Sequence, residues 1–224
     1  MQLELSGLKT LVMAEQAPPD APLLVAMHGI GADEGDLVPL YAPWATRAVL
    51  VFPRAPHPYP PGHAWYALHR PGHPVADSFR ATQQRLSEWL AALRALPGMA
   101  TRPVYLSGFS QGAFVALSYG LHHPQEVAGV LAFSGLLPRG LPADWPSPPP
   151  EARALPVFLT LGMLDPLFPT AWLEESVAQL RAWGLNPTVV PHPGGHEIPP
   201  LAQAAAQAWL AGRLAVSPEA PVRS

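Results

Sequence analysis

Cysteine is absent from the 224 residues, which excludes a disulfide framework, a thiolate nucleophile, an iron–sulfur cluster and any cysteine-ligated zinc. Charge is scarce: charged residues make up 13% of the chain, about half the usual share for a soluble domain. With 13 basic residues against 16 acidic and a formal charge of −3, the sequence has no electrostatic footprint for nucleic acid or an anionic membrane. Lysine is rarer still. Lys9 stands alone beside twelve arginines, a bias found both in heat-tolerant proteins and under GC-rich coding. The longest apolar run, around 127–137, falls well short of the roughly 20 residues of a membrane span. The first residues, MQLELSG, have no basic start, so the expectation is a cytoplasmic protein with no export signal and no stable membrane insertion.

Apolar residues and proline are abundant. At 49% hydrophobic the chain has ample material for one core, expected as a single domain over 1–215 with a frayed tail at 216–224. The 31 prolines and 18 glycines make roughly a fifth of the residues, below the ~25 to 30% of low-complexity chains, and point to many rigid loops. Runs rich in Val, Leu and Phe, bounded by Pro or Gly, recur at 22–27, 48–52, 103–107, 127–134, 156–161 and 187–190. They read as strands buried on both faces. Between them, 75–96, 111–122, 170–183 and 200–214 carry apolar residues at helical spacing, as at Leu86, Trp89, Leu90 and Leu93, and read as helices. Alternation of strand and helix predicts a mostly parallel sheet with helices packed on it. Residues 3–5 and 9–13, joined through Ser6 and Gly7, predict an antiparallel hairpin at the sheet's edge. The proline-rich segments 53–74 and 137–156 follow strand C-terminal ends, where open α/β sheets place their ligands, and read as walls of a site.

The strongest chemical signal is Gly108-Phe109-Ser110-Gln111-Gly112, lying between the strand PVYLS and the helical stretch AFVALSYGLHH. That context distinguishes a nucleophile turn from a glycine-flanked turn with an ordinary capping serine. Glycines at 108 and 112 leave the turn room, and the turn raises Ser110 to the start of a helix whose first N–H groups are unpaired. A serine nucleophile requires a base, and the base an acid that holds its tautomer, in the chain order Ser, Asp or Glu, His. Asp165, just past the strand at 156–161, is the expected acid. Asp144 lies in a proline stretch, and Glu174 and Glu175 lie inside a helix. His196, in Gly194-Gly195-His196-Glu197, has the loop freedom to reach Ser110; His192, between two prolines, is the stiffer rival.

The expected oxyanion donors are the N–H groups of Gln111 and Ile30, the latter in His28-Gly29-Ile30-Gly31 after the strand at 22–27. His28 then reads as a buried residue positioning that loop. The same glycines loosely resemble a dinucleotide fingerprint. The third glycine comes one residue late, however, and Pro53-Arg54 stand where a ribose-binding acid belongs. His57, His63, His69 and His73 crowd one segment, but Pro71-Gly72 breaks the helix that would align a pair, and no acidic companion is near. They read as solvated loop residues, so neither metal nor cofactor is expected. Trp65 and Tyr66 in that segment suit a site edge.

The run His28-Gly29-Ile30-Gly31-Ala32-Asp33-Glu34-Gly35-Asp36-Leu37, the Ala64-Trp65-Tyr66 element, Gly108-Phe109-Ser110-Gln111-Gly112, Asp165-Pro166-Leu167-Phe168-Pro169 and Gly195-His196 together resemble the phospholipase/carboxylesterase family of α/β-hydrolases, which includes acyl-protein thioesterases. The resemblance covers nearly the whole chain. It implies a capless α/β-hydrolase fold and a cofactor-free serine hydrolase with Ser110, Asp165 and His196 as its triad. Its substrate would be a small-molecule carboxylic ester or, alternatively, an acyl-protein or lysophospholipid (thio)ester, and its state monomer or homodimer. Trp65, Leu167 and Phe168 are the expected substrate-binding residues. Two positions depart from the family's common pattern: Ala113, where a second glycine often follows the serine motif, and Phe168, where valine is frequent. The larger Phe168 predicts an acyl pocket suited to short and medium chains. A binding protein on a hydrolase scaffold is the competing class, against which the full set of serine, aspartate and histidine weighs.

Overall fold

The computed structural model describes residues 1–214; the tail expected at 216–224 lies outside them. The chain opens with β1 (Gln2–Leu5) and β2 (Leu8–Met13), the expected edge hairpin. Ser6 and Gly7 between them both have positive φ, 46° and 76°, the sign that matches a two-residue turn to the strands' own twist. Next come β3 (Leu23–Met27), a single helical turn α1 (Val38–Tyr41) continued by a 3₁₀ turn at Ala42–Trp44, and β4 (Val49–Pro53). The helical turn is too short to carry a periodic signal.

The segment expected as a site wall folds into two small hairpins, β5 (His57–Tyr59) with β6 (Gly62–Ala64) and β7 (Leu68–Arg70) with β8 (His73–Pro74). Prolines and histidines replace the alternating apolar residues by which a strand is recognised, so the sequence carries no signal for them. The second turn depends on Gly72, with φ +71° and no room for a Cβ beneath the Trp172 ring.

From there the alternation runs as expected: α2 (Ala76–Arg94), β9 (Val104–Phe109), α3 (Gln111–His122), β10 (Gly129–Phe133), β11 (Val157–Thr160), α4 (Thr170–Ala182), β12 (Thr188–Val189) and α5 (Pro200–Leu214). The strands form one sheet in the order β1-β2-β4-β3-β9-β10-β11-β12. The β1–β2 and β2–β4 pairings are antiparallel and the rest parallel.

Alternate side chains divide between two apolar layers, as a sheet covered on both faces requires. Val25, Val51, Leu106 and Ala132 face the layer that holds α2, α3 and α4. Leu24, Leu50, Tyr105 and Leu131 face the layer that holds α1 and α5. Because β3, β9, β10 and β11 run parallel, the loops leaving their C-terminal ends gather at one end of the sheet. The motifs 28–37, 108–112, 162–169 and 192–197 all lie there. The described residues add the two hairpins at this end but no cap domain.

Candidate active site

Ser110 sits between β9 and α3 with φ 51° and ψ −120°, a backbone state that costs a non-glycine residue roughly 1 to 3 kcal/mol and persists only when its surroundings enforce it. The enforcement is visible. Ser110 donates its N–H to the Phe133 carbonyl at 2.9 Å, and its own carbonyl accepts the Ala113 N–H at 2.9 Å. A Cβ on Gly108 would collide with the backbone of Gly112, and one on Gly112 with the Met27 and His28 carbonyls. Both glycines are therefore demanded by close packing of backbone on backbone. Gly135, after β10, completes the set: a Cβ there would strike the Cβ of Ala113. The extra methyl at Ala113 is thus accommodated by the glycine opposite.

The three candidate triad residues meet. His196 Nε2 lies 2.9 Å from Ser110 Oγ, and His196 Nδ1 lies 2.7 Å from Asp165 Oδ2. A carboxylate only accepts, so Nδ1 carries the proton, and Nε2 of the neutral ring is left to accept from the serine hydroxyl. The carboxylate is itself fixed: its other oxygen, Oδ1, accepts the N–H groups of Leu167 at 2.8 Å and Phe168 at 3.0 Å. The Asp165 side chain is wholly buried, while His196 keeps 17% of its side-chain surface.

The loop carrying His196 is docked on the loop carrying Asp165. Met163 and Leu164 donate their N–H groups to the carbonyls of His192 (2.7 Å) and Gly194 (3.0 Å). Gly162 allows this approach, since a Cβ there would run into the carbonyl oxygens of Gly194 and Gly195. His192, the rival base, is fully buried at the sheet edge, where its Nδ1 accepts the Gly194 N–H at 3.2 Å. It supports the loop that presents His196.

The N–H groups of Ile30 and Gln111 have no acceptor among the described residues; Gln111 follows the serine directly, and Gly29, beside Ile30, packs on Ser110, a Cβ there lying 3.4 Å from the serine Cβ. The Gln111 side chain has a separate task. Its Oε1 accepts the Trp65 N–H at 2.7 Å and its Nε2 donates to the Tyr66 carbonyl at 2.8 Å, clamping the first hairpin region onto the start of α3. His28 is buried. Its Nδ1 donates to the Gly29 carbonyl at 2.7 Å and its Nε2 accepts the Ala55 N–H at 3.0 Å. Burial, outweighing the Gly29 hydrogen bond and nearby carboxylates, holds its pKa below the ordinary histidine value. Arg54, which stands out in sequence only as a misplaced charge, pairs both its Nε and Nη2 with the carboxylate of Glu34. Burial alone would raise the Glu34 pKa, but the Arg54 hydrogen bond and charge bring it below its usual value.

The expected substrate wall is placed differently from its sequence reading. Trp65 is 1% exposed, with its ring in the core and its Nε1–H donated to the His28 carbonyl at 2.8 Å; it supports the loop after β3 and presents no face to a ligand. Phe168 is also buried, 3% exposed, its ring 5.3 Å from that of His196 and 5.4 Å from those of Phe114 and Trp172. Leu167 is 43% exposed beside the acid, with Leu164 and Met163 exposed on the same loop. The four loop histidines are dispersed: among the described residues no three metal-binding side chains gather. Cavity size does not locate the site. A cleft of about 570 Å³ lined by Pro22, Trp44, Pro103 and Arg213 lies at the strands' N-terminal ends, remote from Ser110.

The sheet order, the strained serine turn and the Ser110–His196–Asp165 constellation define the α/β-hydrolase class. A match to the Phospholipase/Carboxylesterase family spans residues 8–211, and the chain belongs to that family. It is 32% identical over 125 residues to acyl-protein thioesterase 1 of Schizosaccharomyces pombe, an alignment covering 52% of this chain and 53% of that one, so the chain spans about half of that relative's length. A probable carboxylesterase of Oryza sativa subsp. japonica is 25% identical over 222 residues, 92% of this chain and 83% of that one. The crystal structure of the Bacillus cereus carboxylesterase has the same fold, with a TM-score of 0.80 at 22% identity over 92% of this chain and 94% of that one. No described helix is long and apolar enough to cross a membrane.

Proposed function

We propose that the protein is a serine carboxylesterase, monomeric or dimeric and cytoplasmic, that hydrolyses small esters of short to medium acyl chains through an acyl-enzyme. The unbroken relay from Asp165 through His196 to Ser110, with links of 2.7 and 2.9 Å, carries the reading. Ser110 attacks the ester carbonyl as His196 Nε2 takes its proton. Asp165 stabilises the imidazolium, and the N–H groups of Ile30 and Gln111 receive the oxyanion, each contributing roughly 3 to 4 kcal/mol to lowering the barrier. His196 returns the proton to the leaving alcohol, then activates water to release the acid.

Packing supports the acyl preference. Phe168, Phe114 and Trp172 fill the volume behind the base, so a long chain must run out over the exposed Leu164 and Leu167, where each methylene gains less than the ~0.8 kcal/mol of full burial. Fluorophosphonate labelling of the wild type, absent in Ser110→Ala, tests the nucleophile. Values of kcat/KM for p-nitrophenyl esters of increasing length test the substrate range: an optimum among short and medium chains is expected, and one at palmitate overturns it. Likeness to a thioesterase favours a second reading with the same residues, thioester hydrolysis, which a matched thioester series separates.

A further inference from the structure

His196 is bounded by aromatic rings on two sides. The ring of Phe109, the residue before the nucleophile, lies 5.0 Å from the imidazole at 42°, and that of Phe168, three residues after the acid, lies 5.3 Å away at 68°. Phe168 is not free to move aside. It is wedged against Phe114 and Trp172, and Trp172 is held by Nε1–H donation to the Leu137 carbonyl at 3.1 Å and by the Arg139 guanidinium 4.4 Å over its ring. Phe109 packs over Gly29, where a Cβ would lie 3.2 Å from its Cδ1.

We propose that Phe109 and Phe168 are positioning residues that form an aromatic clamp on the base, restraining the imidazole between Ser110 and Asp165 and stabilising the imidazolium formed at each transition state. The hydrogen bonds at Nδ1 and Nε2 set where the ring's nitrogens lie; the two phenyl groups hinder the swing of the ring about its side-chain torsions when either hydrogen bond breaks. The ring centroids lie 5.0 and 5.3 Å from the imidazole, inside the ~6 Å over which a cation held above an aromatic face is attracted to its quadrupole. Ester and water both react through the same imidazolium, so the clamp serves acylation and deacylation alike.

The proposal rests on His196 as the base. Phe109→Leu and Phe168→Leu are the informative variants, because leucine keeps the site apolar while removing the π electrons. Alanine would admit water and push the imidazolium's stability the other way. Each leucine variant is expected to lower the pKa on the rising limb of kcat/KM by about half a unit, and to reduce kcat about three- to tenfold with KM little changed. The rate of fluorophosphonate labelling falls in parallel. Phe109→Tyr, aromatic at a partly exposed position, restores the wild-type profile. Phe114→Leu, one ring further from His196, is the packing control: it lowers Tm without shifting the pH profile. Unshifted profiles in both leucine variants, or an equal shift in Phe114→Leu, overturn the clamp. An active His196→Ala overturns instead the assignment of the base.

Discussion

Ser110 is a buried residue, only 7% exposed, in a strained conformation that the surrounding backbone imposes, and its hydroxyl contributes one hydrogen bond, to His196. Deleting that hydroxyl therefore removes the proposed nucleophile without removing the packing. Ser110→Ala is expected to lose at least about a thousandfold in kcat while Tm moves by no more than a degree or two. The two histidines of the last loop separate in the same way. His196→Ala should approach the loss of Ser110→Ala, whereas His192→Ala, which removes the acceptor for the Gly194 N–H, should cost about tenfold by loosening the loop. The opposite ranking in steady-state kinetics would transfer the role of base to His192.

Among the elements, the loop after β11 and the loop after β12 behave as one unit, sealed by two backbone hydrogen bonds and by the missing side chain at Gly162. Gly162→Ala introduces a methyl where the Gly194 and Gly195 carbonyls lie, and the sheet beneath is too closely packed to yield. The base loop must move. A shift on the order of 1 Å costs about a hundredfold in kcat, with Tm lowered by only a few degrees because the strands themselves are untouched. Wild-type kcat in the Gly162→Ala enzyme would show that the two loops are not coupled. The signal for Gly162 was present in the sequence as the glycine before Met163-Leu164-Asp165, but nothing local reveals that its neighbours in space, Gly194 and Gly195, come from the far side of α4 and β12.

At the scale of the whole molecule, stability is tied to pH through the loops that support the site. Burial lowers the His28 pKa against the opposing Gly29 hydrogen bond, and Nε2 accepts the Ala55 N–H through the lone pair that protonation would remove. Its folded pKa lies below the unfolded value of 6.5, so as the pH falls the unfolded chain takes up the proton first and stability is lost from about pH 6.5 downward. Glu34, also lowered, adds a second loss below its unfolded value of 4.5 as its pairing with Arg54 is titrated. Scanning calorimetry should find Tm nearly level above about pH 7, declining through about pH 6 and steeper below the 4.5 of unfolded Glu34. In His28→Gln the decline between about pH 6.5 and 5 should flatten, and an unchanged slope would remove His28 as its cause.

The sequence by itself determined the layer architecture and the candidate reacting residues. Strand and helix periods are local properties, and β3, β9, α3 and α5 fall within a residue or two of the expected bounds. The demands of the serine turn are local too, which is why Gly108, Ser110 and Gly112 were legible together. What only the tertiary structure decided is which side chains face the substrate and which hold up those that do. Trp65 and Phe168 carry the composition of a pocket wall, yet one lies beneath the oxyanion loop and the other beside the base. An aromatic residue near a site buries equally well against a ligand or against the core, and that choice rests on the packing of hairpin, helix and loop brought together from distant parts of the chain.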